Sequence, residues 1–369
     1  MKLVDEFRNK TIAKRIVGRI KKFDSLKVNL MEVCGTHTMV IFKQGLKGML
    51  PENVNLLSGP GCPVCVTTQE DIDKAIELAK RKNVIIATFG DMVRVPGTNS
   101  SLEEEKGNGA DIRVVYSPSE ALKIARENPA RKVIFLAVGF ETTSPLIAAS
   151  ILDARKEKIE NFYVFSSHKL IPPAMKALLD SKEVKIDGFI CPGHVSVTIG
   201  GNAYRFIAQQ YNVPCVITGF EPLDVLQSIY MLLNQITEKK AEVEIEYFRA
   251  VRPEGNPIAQ QLIYEVFEIT DVAWRGLGTI PKSGLRLKSE FSNFDAEEEF
   301  RPKIEKSKEN PDCACGEVLR GVKRPTQCKL FKKICNPEEP YGPCMVSSEG
   351  TCAAYYKYGL LTKSSHRLM

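Results

Sequence analysis

Short apolar runs alternate with segments of helical periodicity between residues 28 and 220. Each run ends at Gly, Pro or a polar turn, and continuously apolar strands of this kind are typical of a parallel sheet covered by helices on both faces. The runs are VNLMEV, VNLLSG, VIIATFG, VIFLAVGF, FYVFSS, DGFICPG and PCVITGF. Between them, residues 69–81 repeat apolar side chains at helical spacing. The pattern predicts a mainly parallel α/β fold.

The two halves of this region resemble each other. LLSGPGCP, ATFGDMVRVPG and LAVGFETTSP follow in the first half, and VFSSHKLIPP, ICPGHVSVTIG and VITGFEPLDVL follow in the second. The strongest correspondence is Gly-Phe-Glu, at residues 139–141 and 219–221. We therefore expect two related α/β lobes with mainly parallel sheets that face a cleft, with a boundary in the polar segment 155–161. The alternative is chance similarity between short turns that join strands to helices.

The alternation of apolar runs with helical segments ends after residue 240, and this change suggests three domains. We expect a first α/β lobe at 43–160, a second α/β lobe at 161–240 and a cysteine-rich C-terminal domain at 241–369. Residues 23–42 are a candidate addition to the second lobe, and the N-terminal helix within 1–22 to the C-terminal domain. Because ligand-binding loops follow the carboxyl ends of parallel strands, polar residues at those ends should line the cleft. They are Cys34, Cys62, Asp91, Glu141, His168, His194 and Glu221.

Composition narrows the class of protein. The chain has 369 residues, of which 43% are hydrophobic, and it contains no run of 18 apolar residues and no signal-peptide pattern. We expect a soluble, cytoplasmic protein that is monomeric alone. The net charge is +6, and the basic cluster in residues 8–22 is best interpreted as the solvated face of an amphipathic helix rather than a nucleic-acid site. No glycine-rich phosphate-binding motif is present, so a nucleotide site is not supported.

Six of the eleven cysteines lie in the C-terminal tail. A reducing cytosol disfavours a disulfide framework, which leaves metal binding or redox chemistry. Paired zinc knuckles are absent from the sequence, and four cysteines in separate loops suit a [4Fe-4S] cluster. These are Cys313, Cys328, Cys335 and Cys352. Cys315 could replace Cys313 as a ligand, or Cys315 and Cys344 could form a redox disulfide beside the cluster. A zinc site with two spare thiols is the alternative.

A second group of thiols lies upstream, in Gly-rich turns. Cys62 and Cys65 form a C-x-x-C pair in GPGCPVC, between a strand and a helix that Thr67 and Glu70 are expected to cap. A position at a helix N-terminus favours thiolate, so the pair could act as a dithiol or as two metal ligands. Cys34, in MEVCGTHT, adds a third thiol.

Histidines and acids at strand ends are candidates for proton transfer or metal binding, His194, His168, Asp91 and Glu141 among them. Backbone hydrogen bonding and helix capping are equally ordinary roles for such residues. Cys191 and Cys215 lie in apolar runs and are interpreted as packing residues, as is the single Trp274.

Several long motifs follow in order along almost the whole chain, namely MEVCGTHT, GPGCPVC, GDMVRVPG, GFETTSP, CPGHVS and CMVSSEGTCAAYYKYG. They resemble the motifs of the HypD family of [NiFe]-hydrogenase maturation factors. The resemblance implies a scaffold on which iron acquires two cyanides and a carbon monoxide before delivery to the hydrogenase large subunit. It also implies two partners, the small chaperone HypC and HypE, which carries cyanide as a thiocyanate.

The resemblance also assigns residues. Cys34, Cys62 and Cys65 would surround the transient mononuclear iron or relay electrons to it. Cys313, Cys328, Cys335 and Cys352 would hold the [4Fe-4S] cluster of a C-terminal iron-sulfur domain. Cys315 and Cys344 would resemble the disulfide beside the cluster of ferredoxin:thioredoxin reductase. The candidates for proton handling or iron positioning are His194, Asp91 and Glu349.

Two other functions compete with this one. A [4Fe-4S]-dependent thiol-disulfide reductase acting on a protein substrate would share the tail but would not need Cys34 or His194. A zinc-stabilised adaptor would need a basic face with interleaved aromatic residues, which the sequence lacks. Neither a nucleic acid nor a membrane is an expected partner.

Overall fold

The computed structural model describes residues 5–359 of the chain. The strands are β1 Val28–Glu32, β2 Val54–Ser58, β3 Val84–Thr88, β4 Asp111–Val114, β5 Lys132–Gly139, β6 Phe162–His168, β7 Gly188–Pro192, β8 Cys215–Thr218, β9 Val243–Ile245, β10 Phe267–Trp274 and β11 Gly278–Leu287. The α-helices are α1 Lys10–Ile20, α2 Gly35–Lys43, α3 Pro63–Val66, α4 Gln69–Ala79, α5 Gly90–Val93, α6 Leu102–Gly107, α7 Pro118–Glu127, α8 Ser144–Glu157, α9 Ile171–Ser181, α10 Gly193–Ile199, α11 Arg205–Tyr211, α12 Pro222–Thr237, α13 Pro257–Val266, α14 Ala296–Phe300, α15 Cys315–Leu319, α16 Pro343–Val346 and α17 Thr351–Tyr358. The 3-10 helices are Asp5–Arg8, Leu46–Met49, Gly201–Tyr204, Ser289–Phe294 and Pro325–Gln327.

Two parallel sheets organise the molecule and confirm the predicted fold class. Sheet I has the order β2-β1-β7-β8-β9, and sheet II has the order β4-β3-β5-β6. Every neighbouring pair within these sheets is parallel. Counted along the strands of each sheet, both follow the order second, first, third, fourth, and sheet I adds a fifth strand. The two lobes are therefore related in topology.

The sheets divide the chain differently from the predicted boundary. β6 follows that boundary but pairs with β5 of sheet II, from Val133↔Phe162 to Gly139↔His168. β1 and β2 belong to sheet I with β7, so the sheet II lobe is inserted between β2 and β7. Apolar runs identify buried strands but carry no information on which strands pair, and this explains the difference.

The two Gly-Phe-Glu segments do not occupy equivalent positions in the two sheets. Residues 139–141 follow the third strand of sheet II, whereas residues 219–221 follow the fourth strand of sheet I. The topological equivalent of the turn after β5 is the turn after β7, in CPGHVS. The duplication is thus visible in strand order and not in this tripeptide.

The terminal segments complete the core. Ile16, Val17 and Ile20 of α1 are buried against α12 of the sheet I lobe, and the basic face of α1 is exposed. This position differs from the expected association of the N-terminal helix with the C-terminal domain.

The antiparallel hairpin β10–β11 lies beside β6. None of the helices among the described residues has the length and apolarity that a membrane crossing requires.

Replacing Phe135 by Ala should destabilise the protein strongly. Phe135 is fully buried in β5 and packs edge-on against Phe89, with 5.5 Å between ring centroids. Such a truncation leaves a cavity and costs about 3–5 kcal/mol, which urea denaturation would measure. Phe248, which is 64% exposed, is the matched control, and Phe248→Ala should change stability by less than about 0.5 kcal/mol. Equal effects of the two substitutions would contradict the assigned core.

Candidate metal and thiol centre

Cys34 stands at the carboxyl end of β1, in the N-cap position of α2. Its turn contacts the turn after β2 directly, because the Gly35 N–H donates to the Gly61 carbonyl at 2.9 Å. A Cβ on Gly61 would overlap the backbone of Cys34, so only glycine permits this contact. Cys34 and Cys62 therefore lie on touching turns of neighbouring strands.

The Cys34 thiol is held in its protonated form. Burial, with the nearby Glu349 and Glu32 carboxylates, raises the pKa of Cys34 to about 12. The backbone N–H groups of His37 and Thr36 act in the opposite direction but are outweighed. Deprotonation of this thiol therefore requires a compensating positive charge, such as a metal ion.

The C-x-x-C pair occupies the short helix α3. Cys65 N–H donates to the Cys62 sulfur at 3.3 Å, and both residues are buried. Burial raises the pKa of Cys65 well above its ordinary value, and the neighbouring Cys344 and Cys62 thiols add to the shift. The expectation of a thiolate is therefore wrong for Cys65, because desolvation exceeds the effect of a helix terminus. The predicted cap also differs, since Thr68 caps α4.

Three tail cysteines converge at one point. The sulfurs of Cys315, Cys344 and Cys352 lie within 4.8 Å of one another, and all three residues are buried. Cys352 N–H donates to the Cys344 sulfur at 3.2 Å. Hydrogen bonds from the Cys315, Cys352 and Cys65 thiols lower the pKa of Cys344. A buried trio of thiols at this spacing could bind a metal.

The Cys344 thiol also joins the tail to the C-x-x-C pair. Its interaction with Cys65 brings together residues that are 279 positions apart in the chain (344 − 65 = 279). Thiols from α3, α15, α16 and α17 thus meet in the interior.

The remaining tail cysteines extend this group. A Cβ on Gly342 would lie 2.7 Å from the Cys315 sulfur and 3.0 Å from the Cys313 sulfur, so both sulfurs line the same turn. Burial raises the pKa of Cys335 to about 11, and the Tyr341 N–H donates to its sulfur at 3.4 Å. The Cys328 thiol donates to the Asp312 carbonyl at 3.7 Å.

All eleven cysteines are free thiols in this structure, including Cys315 and Cys344. The sulfur donors fit an iron-sulfur cluster chemically, since soft thiolates are its usual ligands. Cys352, however, groups with Cys315 and Cys344 and not with Cys328 and Cys335. The division of the six tail thiols into four cluster ligands and one redox pair remains a prediction.

Glu349 lies beside the Cys34 turn, and Asp91 lies beside Glu349. Thr36 Oγ1 donates to Glu349 Oε1 at 2.6 Å, which fixes the tail loop against the Cys34 turn. Ser347 Oγ donates to Asp91 Oδ2 at 2.8 Å, which links the same loop to the carboxyl end of β3. Burial raises the pKa of Glu349, and the nearby Asp91 adds to the shift. Sheet I contributes Cys34, sheet II contributes Asp91 and the tail contributes Glu349 to this part of the site.

His194 lies on the exposed rim of the same edge of sheet I, after β7. Its ring stacks on Phe220 with 3.9 Å between centroids, and Phe220 stacks in turn on His37 at 5.0 Å. Partial desolvation of the stacked ring lowers the pKa of His194, although the residue is exposed. Among residues 5–359, no hydrogen bond joins His194 to Cys34, Asp91 or Glu349.

Glu141, His168 and Glu221 have other partners. Glu141 Oε1 accepts from the Ile171 N–H at 3.0 Å, and Glu221 forms an ion pair with Arg8 at 2.6 Å. The His168 Nδ1 lies 3.1 Å from Ser166 Oγ. Each of these three side chains is therefore engaged in a structural contact and not with the thiols.

The sequence interpretation did not identify Glu32, and it noted His37 only as a neighbour of Cys34. Glu32 is buried and accepts from the Cys34 N–H at 3.0 Å and from the Thr38 hydroxyl. His37 donates from Nε2 to the Gly219 carbonyl at 2.9 Å. A charged residue at the end of an apolar run was the available signal for Glu32, because buried acids need specific partners. His37 lay in the same motif.

The fold and site together define a two-lobed α/β protein whose cysteine cluster could bind a metal. The sequence matches the family described as "Hydrogenase formation hypA family", HypD, over residues 9–359. It is 48% identical to hydrogenase maturation factor HypD2 of Bradyrhizobium diazoefficiens, over 97% of each chain. It is 46% identical to hydrogenase maturation factor HypD of Escherichia coli, over 97% of this chain and 98% of that protein.

An archaeal protein is equally similar. The putative hydrogenase expression/formation protein of Methanocaldococcus jannaschii is 46% identical, over 95% of this chain and 98% of its own. These matches extend over nearly the whole chain at identities far above chance. The chain belongs to the HypD family of hydrogenase maturation factors.

Replacing Glu141 by Gln should alter the pH dependence of stability. Burial raises the pKa of Glu141 from 4.5 to about 8. The folded state therefore favours the neutral carboxyl, and the stability it contributes is complete below pH 4.5 and is lost as the pH rises towards about 8. Glu141→Gln stays neutral, so it should gain free energy of unfolding relative to wild type across this window, measured by urea denaturation. Glu160→Gln, at an exposed site, is the control. Parallel profiles for wild type and Glu141→Gln would contradict the assignment.

Proposed function

We propose that this protein is the scaffold and redox centre on which an iron ion acquires two cyanides and one carbon monoxide for a [NiFe]-hydrogenase. The observation that carries the proposal is the convergence of free, buried thiols from distant segments, namely the Cys34 turn, the C-x-x-C pair and the tail. Thiolates are soft ligands that suit low-spin iron(II) bearing strong-field carbon ligands. Membership of the hydrogenase maturation family supports the same conclusion.

Cys34, Cys62 and Cys65 are the proposed ligands or redox partners of this substrate iron. The touching turns hold Cys34 and Cys62 at the carboxyl edge of sheet I. Protonated thiols release protons when they bind a metal. Glu349, beside Cys34, and Asp91, beside Glu349, are the proposed acceptors of such protons, and exposed His194 could exchange them with solvent.

A [4Fe-4S] cluster held by Cys313, Cys328, Cys335 and Cys352 would supply electrons one at a time. Dithiol pairs within the chain store two electrons. Cys315 and Cys344 form one proposed pair, and Cys62 and Cys65 form the other. The contact between Cys344 and Cys65 gives thiol-disulfide exchange a direct route from one pair to the next.

The release of cyanide from a thiocyanate consumes two electrons and one proton and yields a thiol and cyanide. Oxidation of one dithiol to its disulfide supplies two electrons and two protons, so one dithiol suffices for each cyanide. The second proton leaves with cyanide or passes to a neighbouring carboxylate. In this scheme HypE donates cyanide, HypC binds as a small chaperone, and the hydrogenase large subunit receives the product indirectly. We propose a cytoplasmic site for this chemistry and a protein that is monomeric alone.

A thiol-disulfide reductase that depends on the [4Fe-4S] cluster is the second candidate. The contact between Cys65 and Cys344 favours it, because this contact alone would move electrons from the tail to the C-x-x-C pair. Such an enzyme would require neither Cys34 nor the acids beside it. Cys34 therefore distinguishes the two functions.

The anaerobically purified protein should be brown and contain one [4Fe-4S] cluster. Cys328→Ala and Cys335→Ala should each abolish its visible absorbance, because each removes a thiolate ligand. Cys215→Ala is the matched control, since Cys215 is buried in β8 away from the tail, and it should keep the colour. Iron and sulfide analysis would quantify the result. Full absorbance in either tail variant would remove that residue from the ligand set.

Infrared spectroscopy of the complex with HypC tests the iron site itself. Wild-type complex should give Fe-CO and Fe-CN stretching bands, which have little overlap with protein bands. Cys34→Ala should lose these bands and remain brown, because Cys34 is proposed to bind the substrate iron and not the cluster. Cys191→Ala, at another buried thiol, should keep both signals. Bands of normal intensity in Cys34→Ala would favour the reductase.

A further inference from the structure

The tip of the β10–β11 hairpin lies between the two thiol groups. On one side, Arg275 N–H donates to the Val66 carbonyl at 2.9 Å, and Arg275 Nε donates to the Thr67 carbonyl at 2.9 Å. Arg275 Nη2 donates to Gln69 Oε1 at 3.1 Å. These three hydrogen bonds fix residues 66–69, the segment that follows the C-x-x-C pair.

On its other side the tip touches the helix that begins at Cys315. Gly276 has a φ of +76°, and a Cβ there would overlap the backbone of Gly316. The Arg320 guanidinium donates to the Gly276 carbonyl. One short turn therefore contacts both thiol-bearing segments, and its position fixes their separation.

Arg275 carries a charge that the surroundings only partly neutralise. Its guanidinium stays protonated in proteins, and the side chain is 5% exposed. Its one carboxylate partner among the described residues is Glu309, at 3.3 Å, which is half-exposed. The charge also acts on the Cys313 thiol. Because a buried charge needs a counter-charge, electrons or thiolates nearby would be stabilised by it.

We propose that Arg275 is a positioning residue that holds the C-x-x-C pair against the tail thiols through its hydrogen bonds, and that its fixed positive charge favours the reduced state of a cluster bound by the tail thiols. The inference rests on the proposed function and identifies the element that couples its two redox groups. Reduction of the Cys62–Cys65 disulfide takes up two electrons and two protons and yields two thiols. Arg275 gains or loses none of these and acts through hydrogen bonds and charge.

The test compares Arg275→Gln, which removes the charge, with Arg275→Lys, which keeps it. The readouts are the midpoint potential of the tail cluster, followed by visible absorbance, and the dithiol-to-disulfide ratio of Cys62 and Cys65 in glutathione buffers, measured by alkylation and mass spectrometry. Arg275→Gln should lower the potential of the cluster, whereas Arg275→Lys, which keeps the charge, should leave the potential near wild type. The disulfide and dithiol forms of Cys62 and Cys65 are both uncharged, so their ratio reports the positioning role. Both substitutions remove the hydrogen bonds to Thr67 and Gln69 and should therefore change the dithiol-to-disulfide ratio alike. Arg286→Met, on the exposed face of the same hairpin, should change neither readout.

Glu309→Gln gives a test in the opposite direction, which remains available if Arg275→Gln does not fold. Removal of the one carboxylate that pairs with Arg275 among residues 5–359 should raise the potential and leave the dithiol-to-disulfide ratio unchanged. An unchanged potential in folded Arg275→Gln or in Glu309→Gln, equal shifts of the potential in Arg275→Gln and Arg275→Lys, or an unchanged ratio in folded Arg275→Gln would overturn the proposal. Wild-type protein without a cluster would refute the proposed function instead, and the glutathione ratio would still test Arg275.

Discussion

The burial of thiols away from water is the constraint on which this structure depends. A buried thiolate without a counter-charge is costly, so the fold keeps Cys34 and Cys65 protonated, with a pKa of about 12 for Cys34. Cys344 is the exception, because the thiols around it donate hydrogen bonds to it. The centre is thus prepared for a positive charge, and a soft metal cation would lower the pKa of every thiol that it binds.

Close backbone contacts bring the sulfurs together. Gly61 lets the turns after β1 and β2 touch, and the paired Gly276 and Gly316 let the hairpin tip reach the tail. Side-chain bonds then fix the tail loop to both sheets, through Thr36 on one side and Asp91 on the other. Each lobe alone carries only part of the centre, and the tail completes it.

Much of this arrangement could be predicted from residue patterns, and the rest depends on contacts between distant segments. The apolar runs predicted parallel strands, and the rule that loops at strand ends bind ligands brought Cys34, Cys62 and Asp91 to the correct edges. The rule failed for Glu141, because its carboxylate is engaged by the backbone of α9. No sequence pattern pointed to Arg275, because it lies in a turn that contacts the end of α3 although the two are far apart in the chain. The acidity of Cys65 was predicted in the wrong direction because a local motif does not reveal desolvation.

The insertion of one lobe within the other has a consequence for synthesis of the protein. β1 and β2 are the first strands to leave the ribosome, but β7, which pairs with β1, follows only after residues 59–187 have been made. The inserted sheet has all its strands within residues 84–168 and can fold while the first sheet waits. Cys34 and Cys62 therefore stay in an unfinished sheet until late in translation, and the tail thiols arrive last. The full set of buried thiols exists only after Cys352 has been made, so a metal ion captured by a nascent fragment would meet only some of the sulfur donors.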